Sequence, residues 1–372
     1  MDAFSKSNGS FAVVLLKSLC QDTPGCNVCV SPLSVTSALA TILLGARGST
    51  KAQIAKMLSL KEKKDHQSFQ LLLSKVNNLE GQYVLKTASR LYGEISCNFC
   101  SPFKEECSQL YQAELEELSF IRSHEEARGN INNWVSRNTE GKIQELLPCG
   151  SVSPLTNLVL VNAIYFKGQW RDTFDKAYTV EVPFKINQKE QVPVQMMFQE
   201  STFNLAYIDE VEAQLLELPY IRQELSMFIL LPDENVDLRL VEKQLTFEKF
   251  RAWTKLLKST KVEVSLPRFR LAEDYQLESV LPTLGMVNAF QIGQADFSAM
   301  AEDLNLHLST FVHKVCLEVN EDGTEAAAAS GLLIEVDCGA EMPQFYADHP
   351  FLFFLIHNDT KSILFCGRFC SP

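Results

Sequence analysis

The run Leu158-Val159-Leu160-Val161-Asn162-Ala163-Ile164-Tyr165-Phe166 constrains the fold more than any other stretch of the chain. It is β-rich and apolar on both alternating faces, save for Asn162. A strand of that kind fits a central position in a sheet covered on both sides. The covering layers come in a distinctive order. Helical spacing dominates the first third, where Phe11, Val14, Leu15 and Leu19 recur behind Ser10, a residue suited to capping. Pro32 stands where a second helix begins. Residues 33–44 are apolar on most sides, which predicts a buried helix ending at Gly45. Further helices are predicted over 49–58, 67–76, 103–110 and 125–135. Strand signals fall at 83–88 and then dominate the second half. Three strands lie between Phe203 and Leu231, broken near Asp209-Glu210 and Tyr220–Glu224. Others are predicted over 261–269, 306–319, 351–356 and 363–369. Helices early and strands late, without βαβ alternation, predict an α+β fold. No linker or repeat divides the chain, so one domain over 1–372 is expected.

Composition removes several function classes. The net charge is −12, which argues against nucleic acid or an anionic membrane as partner. The longest apolar runs fall well short of the roughly 20 residues that a membrane span needs. Residues 1–8 have neither the basic nor the apolar region of a secretory signal, which predicts a cytoplasmic protein, with nuclear access left open. The 11 cysteines are odd in number and loosely spaced, as reduced thiols are. Cys26/Cys29 and Cys97/Cys100 have zinc-ligand spacing but lack the usual turn residues, so no metal and no cofactor are expected. No nucleophile elbow, phosphate-binding loop or dinucleotide fingerprint is present. His124-Glu125-Glu126-Ala127-Arg128 begins like a zinc-protease helix, but Arg128 replaces the second ligand. No catalytic residues are assigned, and the chain is not expected to be an enzyme.

One segment does not suit a globular core. A strand pattern ending Glu318-Val319-Asn320 runs into Glu321-Asp322-Gly323-Thr324-Glu325, then Ala326-Ala327-Ala328-Ala329-Ser330, then Gly331-Leu332-Leu333-Ile334-Glu335-Val336-Asp337-Cys338-Gly339. Thr324 could cap a short alanine helix. Read with period two, Thr324, Ala326, Ala328, Ser330, Leu332 and Ile334 share one uncharged face, and Glu325 and Glu335 fall on the other. Such a segment could enter a sheet without burying a charge.

Residues 321–330 resemble the proximal hinge of an inhibitory serpin. Other serpin motifs occur in order along the chain. Val30-Ser31-Pro32-Leu33-Ser34 resembles the start of the family's second helix. Asn162 to Trp170 resembles the strand that leads to the breach tryptophan. Phe311-Val312-His313-Lys314 resembles the strand before the hinge, and Ala347–Phe353 and Phe365–Phe369 resemble the C-terminal signature. The chain is thus similar to serpins over its whole length, and to the intracellular, ovalbumin-like clade in particular. The resemblance implies about nine helices, three sheets, a metastable native state and a monomer. It also implies an exposed reactive-centre loop over about 321–343. A protease cuts that loop, is held as an acyl ester, and is carried away as the loop inserts into the large sheet. It makes Glu321, Gly323, Thr324, Glu325, Ala326, Ala327, Ala328 and Ala329 the hinge. Ser31, Ser34, Asn162 and His313 become the shutter through which the sheet opens, and Trp170 marks the breach above it.

In this clade the bait residue lies sixteen positions after the hinge acid, which here is Asp337, so the reactive bond is Asp337–Cys338. Ile334, Glu335 and Val336 complete the recognised sequence. Aspartate at the cut demands a protease with a basic specificity pocket, since an unpaired buried carboxylate is costly. Granzyme B, whose preferred peptides resemble Ile-Glu-x-Asp, is the first expectation, and a caspase the second. A non-inhibitory serpin is the alternative to both.

Overall fold

The computed structural model describes residues 2–60, 63–77, 83–111, 113–302, 305–321 and 342–372. Its α-helices are α1 (Asp2–Asp22), α2 (Pro32–Gly45), α3 (Gly48–Leu58), α4 (Lys63–Asn77), α5 (Ser101–Tyr111), α6 (Phe120–Asn138), α7 (Leu238–Gln244), α8 (Phe247–Thr254) and α9 (Leu277–Val280). The strands of the first half are β1 (Val28–Val30), β2 (Tyr83–Glu94), β3 (Leu115–Leu118), β4 (Leu158–Gly168), β5 (Val180–Lys185) and β6 (Gln191–Ile208). Those that follow are β7 (Ala213–Pro219), β8 (Leu225–Pro232), β9 (Lys258–Pro267), β10 (Phe269–Gln276), β11 (Leu308–Val319), β12 (Gln344–Tyr346), β13 (Phe351–His357) and β14 (Ser362–Phe369). The fold is α+β, as expected. The predicted breaks at 209–210 and 220–224 fall between β6, β7 and β8.

The strands form a five-stranded sheet, ordered β10-β11-β4-β2-β3, and a nine-stranded one along β1-β14-β13-β8-β7-β6-β9-β12, with β5 also on β6. Two of the three expected sheets are joined because β6 is long. Its first third pairs with β5 and its last part with β7.

β4 lies in the middle of the five-stranded sheet and is buried on both faces. Leu158, Leu160, Ile164 and Phe166 point into the main core, which also holds α1 and α2. Val159, Val161 and Ala163 point the other way, into a second core capped by Phe120, Ala127, Ile131 and Val135 of α6. A period of two on an apolar run produces this division.

α2 starts at the predicted proline. The Ser31 hydroxyl caps it by accepting from the Ser34 N–H at 3.4 Å. α1 differs from expectation. It begins at Asp2, so Ser10 lies inside the helix rather than at its start. Contacts far along the chain hold the early turns. Ser5 donates to the Lys361 carbonyl at 3.0 Å, and Asn8 donates to the Ile363 carbonyl at 3.3 Å.

The C-terminal signature has a packing cause. A Cβ at Gly367 would sit 2.2 Å from the Val28 carbonyl of β1 and 2.3 Å from the Phe353 ring, so only glycine lets β1 close on β14. Arg368 is buried, and its guanidinium donates to the carbonyls of Cys20, Thr23 and Cys26 and to Glu242. It thereby ties the end of α1 to β14. Cys29 is buried in β1 while Cys26 is exposed. Among the described residues, no group of three or more metal-binding side chains is placed to hold an ion. Arg128 lies within α6 and pairs with Glu125 at 2.8 Å. No described helix is long and apolar enough to cross a membrane.

Candidate functional site at a seam of the five-stranded sheet

β4 and β11 are parallel neighbours, paired from Leu158↔Leu308 through Lys167↔Glu318, with a shift of register between Leu308 and Thr310. Parallel pairing is slightly weaker per residue than antiparallel pairing. The chain leaves β11 at Val319. A strand that turned back there and passed between β11 and β4 would run antiparallel to both. The topology therefore holds a place where a weaker pairing could be exchanged for two stronger ones.

A polar network crosses this seam on the α2 side. Asn162 of β4 and His313 of β11 are registered partners. The Asn162 Oδ1 lies 2.7 Å from His313 Nδ1 and accepts from the Ser34 hydroxyl at 2.8 Å. The Ser31 N–H donates to His313 Nε2 at 3.1 Å, and the Ser31 hydroxyl donates to the Leu364 carbonyl at 2.7 Å. Since Nε2 accepts, the proton belongs on Nδ1, which donates to Asn162. All four side chains are buried. Ser31, Ser34, Asn162 and His313 are thus brought together, and one hydrogen bond, His313 to Asn162, spans the seam itself. The ring of Tyr275 stacks beside His313 at 6.4 Å, and its hydroxyl accepts from the Cys29 N–H at 3.1 Å.

Complete burial pushes the His313 imidazole down to about 3 from an ordinary 6.5. The folded protein holds it neutral where the unfolded chain would protonate it. Its contribution is therefore full above pH 6.5 and is lost as pH falls toward about 3, at roughly 1.4 kcal/mol per pH unit. Urea titrations from neutral pH to about pH 4 are expected to show this slope. His313→Gln should flatten it over that window, and an unchanged slope would contradict the assignment.

Above the network, Trp170 closes the end of the seam. It is buried and stacks on Tyr220 at 4.3 Å, and its indole N–H donates to the Asn320 carbonyl at 2.9 Å. The next residue, Glu321, is held three ways. Its carbonyl accepts from the Phe174 N–H at 3.0 Å. Its carboxylate accepts from the Thr179 hydroxyl at 2.9 Å and lies 3.6 Å from the Arg268 guanidinium. Phe174, Thr179 and Arg268 were not among the residues singled out from the sequence, and nothing in their type or spacing marks them. Glu321→Ala removes a buried carboxylate and leaves the half-buried Thr179 hydroxyl without its partner. It is expected to cost about 1–3 kcal/mol, read as a lower thermal transition and faster amide exchange at Phe174.

On the opposite face, Lys314 of β11 donates to the Glu145 carbonyl at 2.8 Å. This ties the segment after α6 across the same seam. Gly323, Thr324, Glu325, Ala326–Ala329, Ile334, Glu335, Val336, Asp337 and Cys338 lie outside the described residues.

Two packed sheets, a parallel seam locked by a buried polar cluster, and a clamped strand exit define the class of this protein. Residues 6–372 match the serpin (serine protease inhibitor) family, and the chain belongs to it. Among its relatives, Serpin B9 of Homo sapiens is 60% identical over 376 residues, covering all of both chains. Serpin B8 of Homo sapiens is 54% identical over the same extent. The crystal structure of uncleaved ovalbumin superposes with a TM-score of 0.94 at 34% identity, covering 99% of this chain and 100% of that one.

Proposed function

We propose that this serpin traps a protease that cuts after aspartate, with Asp337–Cys338 as the reactive bond and granzyme B as the first target. The direct β4–β11 pairing carries this reading, because it leaves the place for one more strand unfilled and continuous with Glu321. The protease's serine oxygen attacks the Asp337 carbonyl carbon. The bond to the Cys338 nitrogen breaks, that amine takes the proton, and Asp337 is left as an ester. Segment 322–337 then enters between β4 and β11, breaking the His313–Asn162 bond and the Lys314 strap. Ile334, Glu335 and Val336 select the protease, and the small residues from Gly323 through Ala329 allow entry. Ser31, Ser34, Asn162 and His313 form the shutter, and Trp170 and Glu321 hold its upper end until the cut.

We further assign the protein to the cytoplasm, as a single-domain monomer. The reading is tested by mixing it with active granzyme B and, separately, with an initiator caspase. A denaturation-stable adduct with the first supports it. An adduct with the caspase alone moves the target to the cysteine class. Clean cleavage without an adduct makes the protein a substrate and not an inhibitor.

A further inference from the structure

β1 and β14 pair antiparallel, with Val28 opposite Arg368, Cys29 opposite Gly367 and Val30 opposite Cys366. Carried two residues back from the start of β1, the same register sets Cys26 opposite Cys370. The two segments stay side by side over that stretch because the Asn27 side chain bridges them. Its Oδ1 accepts from the N–H of Cys370 at 2.7 Å and of Ser371 at 3.1 Å, and its Nδ2 donates to the Ser371 carbonyl at 2.8 Å. Cys26 is fixed as well. Its N–H donates to the Thr23 carbonyl at 3.2 Å, across a turn in which Gly25 takes a φ of +74°, and its carbonyl accepts from Arg368 Nε at 3.0 Å. Opposed residues of an antiparallel pair have Cα atoms about 4.5–5.5 Å apart, within the roughly 4.4–6.8 Å that a disulfide spans. Their side chains leave the same face of the pair. Cys29 and Cys366, on the same two strands, sit one step out of register and so point to opposite faces. The register therefore singles out Cys26 and Cys370.

The two thiols differ in exposure. Cys26 is exposed, and Cys370 is 5% exposed. Burial pushes the Cys370 thiol up to about 11; Arg368 opposes this, and Glu242 and Cys26 add to it. A charge on Cys26 is thus felt at Cys370. We infer that Cys26 and Cys370 form a reversible disulfide site that closes under a peroxide oxidant. The Cys26 thiolate attacks one peroxide oxygen, the O–O bond breaks, and the departing hydroxide takes a proton to become water, which leaves Cys26 as a sulfenic acid. The Cys370 sulfur then attacks the Cys26 sulfur, the S–O bond breaks, and the hydroxyl leaves as water with the Cys370 proton. The two electrons lost by the thiols reduce the peroxide. The link joins the turn after α1 to the residue that follows β14. It thereby braces β1, which is followed by Ser31, the donor to His313. The site stands whether or not the chain traps a protease.

The test treats the full chain with hydrogen peroxide at neutral pH, blocks the remaining thiols by alkylation under denaturing conditions, and maps the peptides by mass spectrometry without reduction. The expected product is a single chain lighter by two hydrogens, with the peptides that carry Cys26 and Cys370 joined. Alkylation of Cys370 is expected to fall about tenfold and the thermal transition to rise by about 5 °C. Dithiothreitol should restore the starting mass and transition. Cys26→Ser and Cys370→Ser should each abolish the link and the shift. Cys20→Ser, which removes the other thiol close to Arg368 and Cys370, should keep both. Cys26→Ser alters an exposed side chain, so that variant carries the test if Cys370→Ser fails to fold. Cys26 recovered as an oxidised acid with Cys370 free, a link to Cys20 or between two chains, or no reaction of either thiol overturns the inference.

Discussion

Cutting the Asp337–Cys338 bond is expected to raise the thermal transition by on the order of 10 °C. The estimate follows from the seam. Insertion gives up the registered parallel pairing of β4 with β11 and forms an antiparallel ladder on each side of the new strand. About ten net hydrogen bonds at 0.5–1.5 kcal/mol apiece come to on the order of 10 kcal/mol. On the proposed reading, the uncut protein persists because the polar network, the Lys314 strap and the Trp170–Glu321 clamp must all open before the gain is realised. The measurement is differential scanning calorimetry before and after limited cleavage, with the cut site identified by mass. A shift of only a degree or two would mean that the loop stays outside the sheet.

The second large effect is expected from Thr324→Arg. Thr324 lies outside the described residues, but the period-two pattern puts it on the face that carries Ala326, Ala328 and Ser330. The matching face of β4 and β11 is fully buried, with Leu160, Ile164, Phe311 and Val315 among its residues. An arginine carried inward there would have no partner, and a buried unpaired charge costs several kcal/mol. Insertion should stall while cleavage continues. The adduct is then expected to fall at least tenfold in favour of cleaved product, a change of about 1.4 kcal/mol or more in the partition between the two routes. Thr324→Ala, which stays small, should leave the partition near that of the parent chain. Equal trapping by the arginine variant would separate inhibition from insertion at this position.

Much of the fold was legible wherever period and burial coincide. The run from Leu158 reads as a strand covered on both sides, and it is one. The elements that escaped are those whose local pattern is weak. β5 and the first half of β6 carry Pro183 and Pro193, opposite each other in register, and proline demotes a strand pattern. Their pairing is decided by tertiary context. The early turns of α1 are polar and are held by carbonyls more than 350 residues away in sequence, such as that of Ile363.

The site divides in the same way. Asn162 stands out as the polar residue in an apolar run. Its partners come from two other elements, α2 and β11, and only resemblance to a known family linked Ser31, Ser34 and His313 to it. The clamp on Glu321 was invisible because Phe174 acts through its backbone, and Thr179 and Arg268 reach the carboxylate from separate segments. No spacing rule connects them.

The central claim is that the chain ends its work covalently attached to the protease it stops. It is tested most directly by incubating the purified protein with active granzyme B and resolving the products under denaturing conditions with mass spectrometry. The account predicts an adduct joined through Asp337, with release of a C-terminal fragment beginning at Cys338. Cleavage at that bond with no adduct at any ratio of protein to protease, or no cleavage there at all, would contradict it.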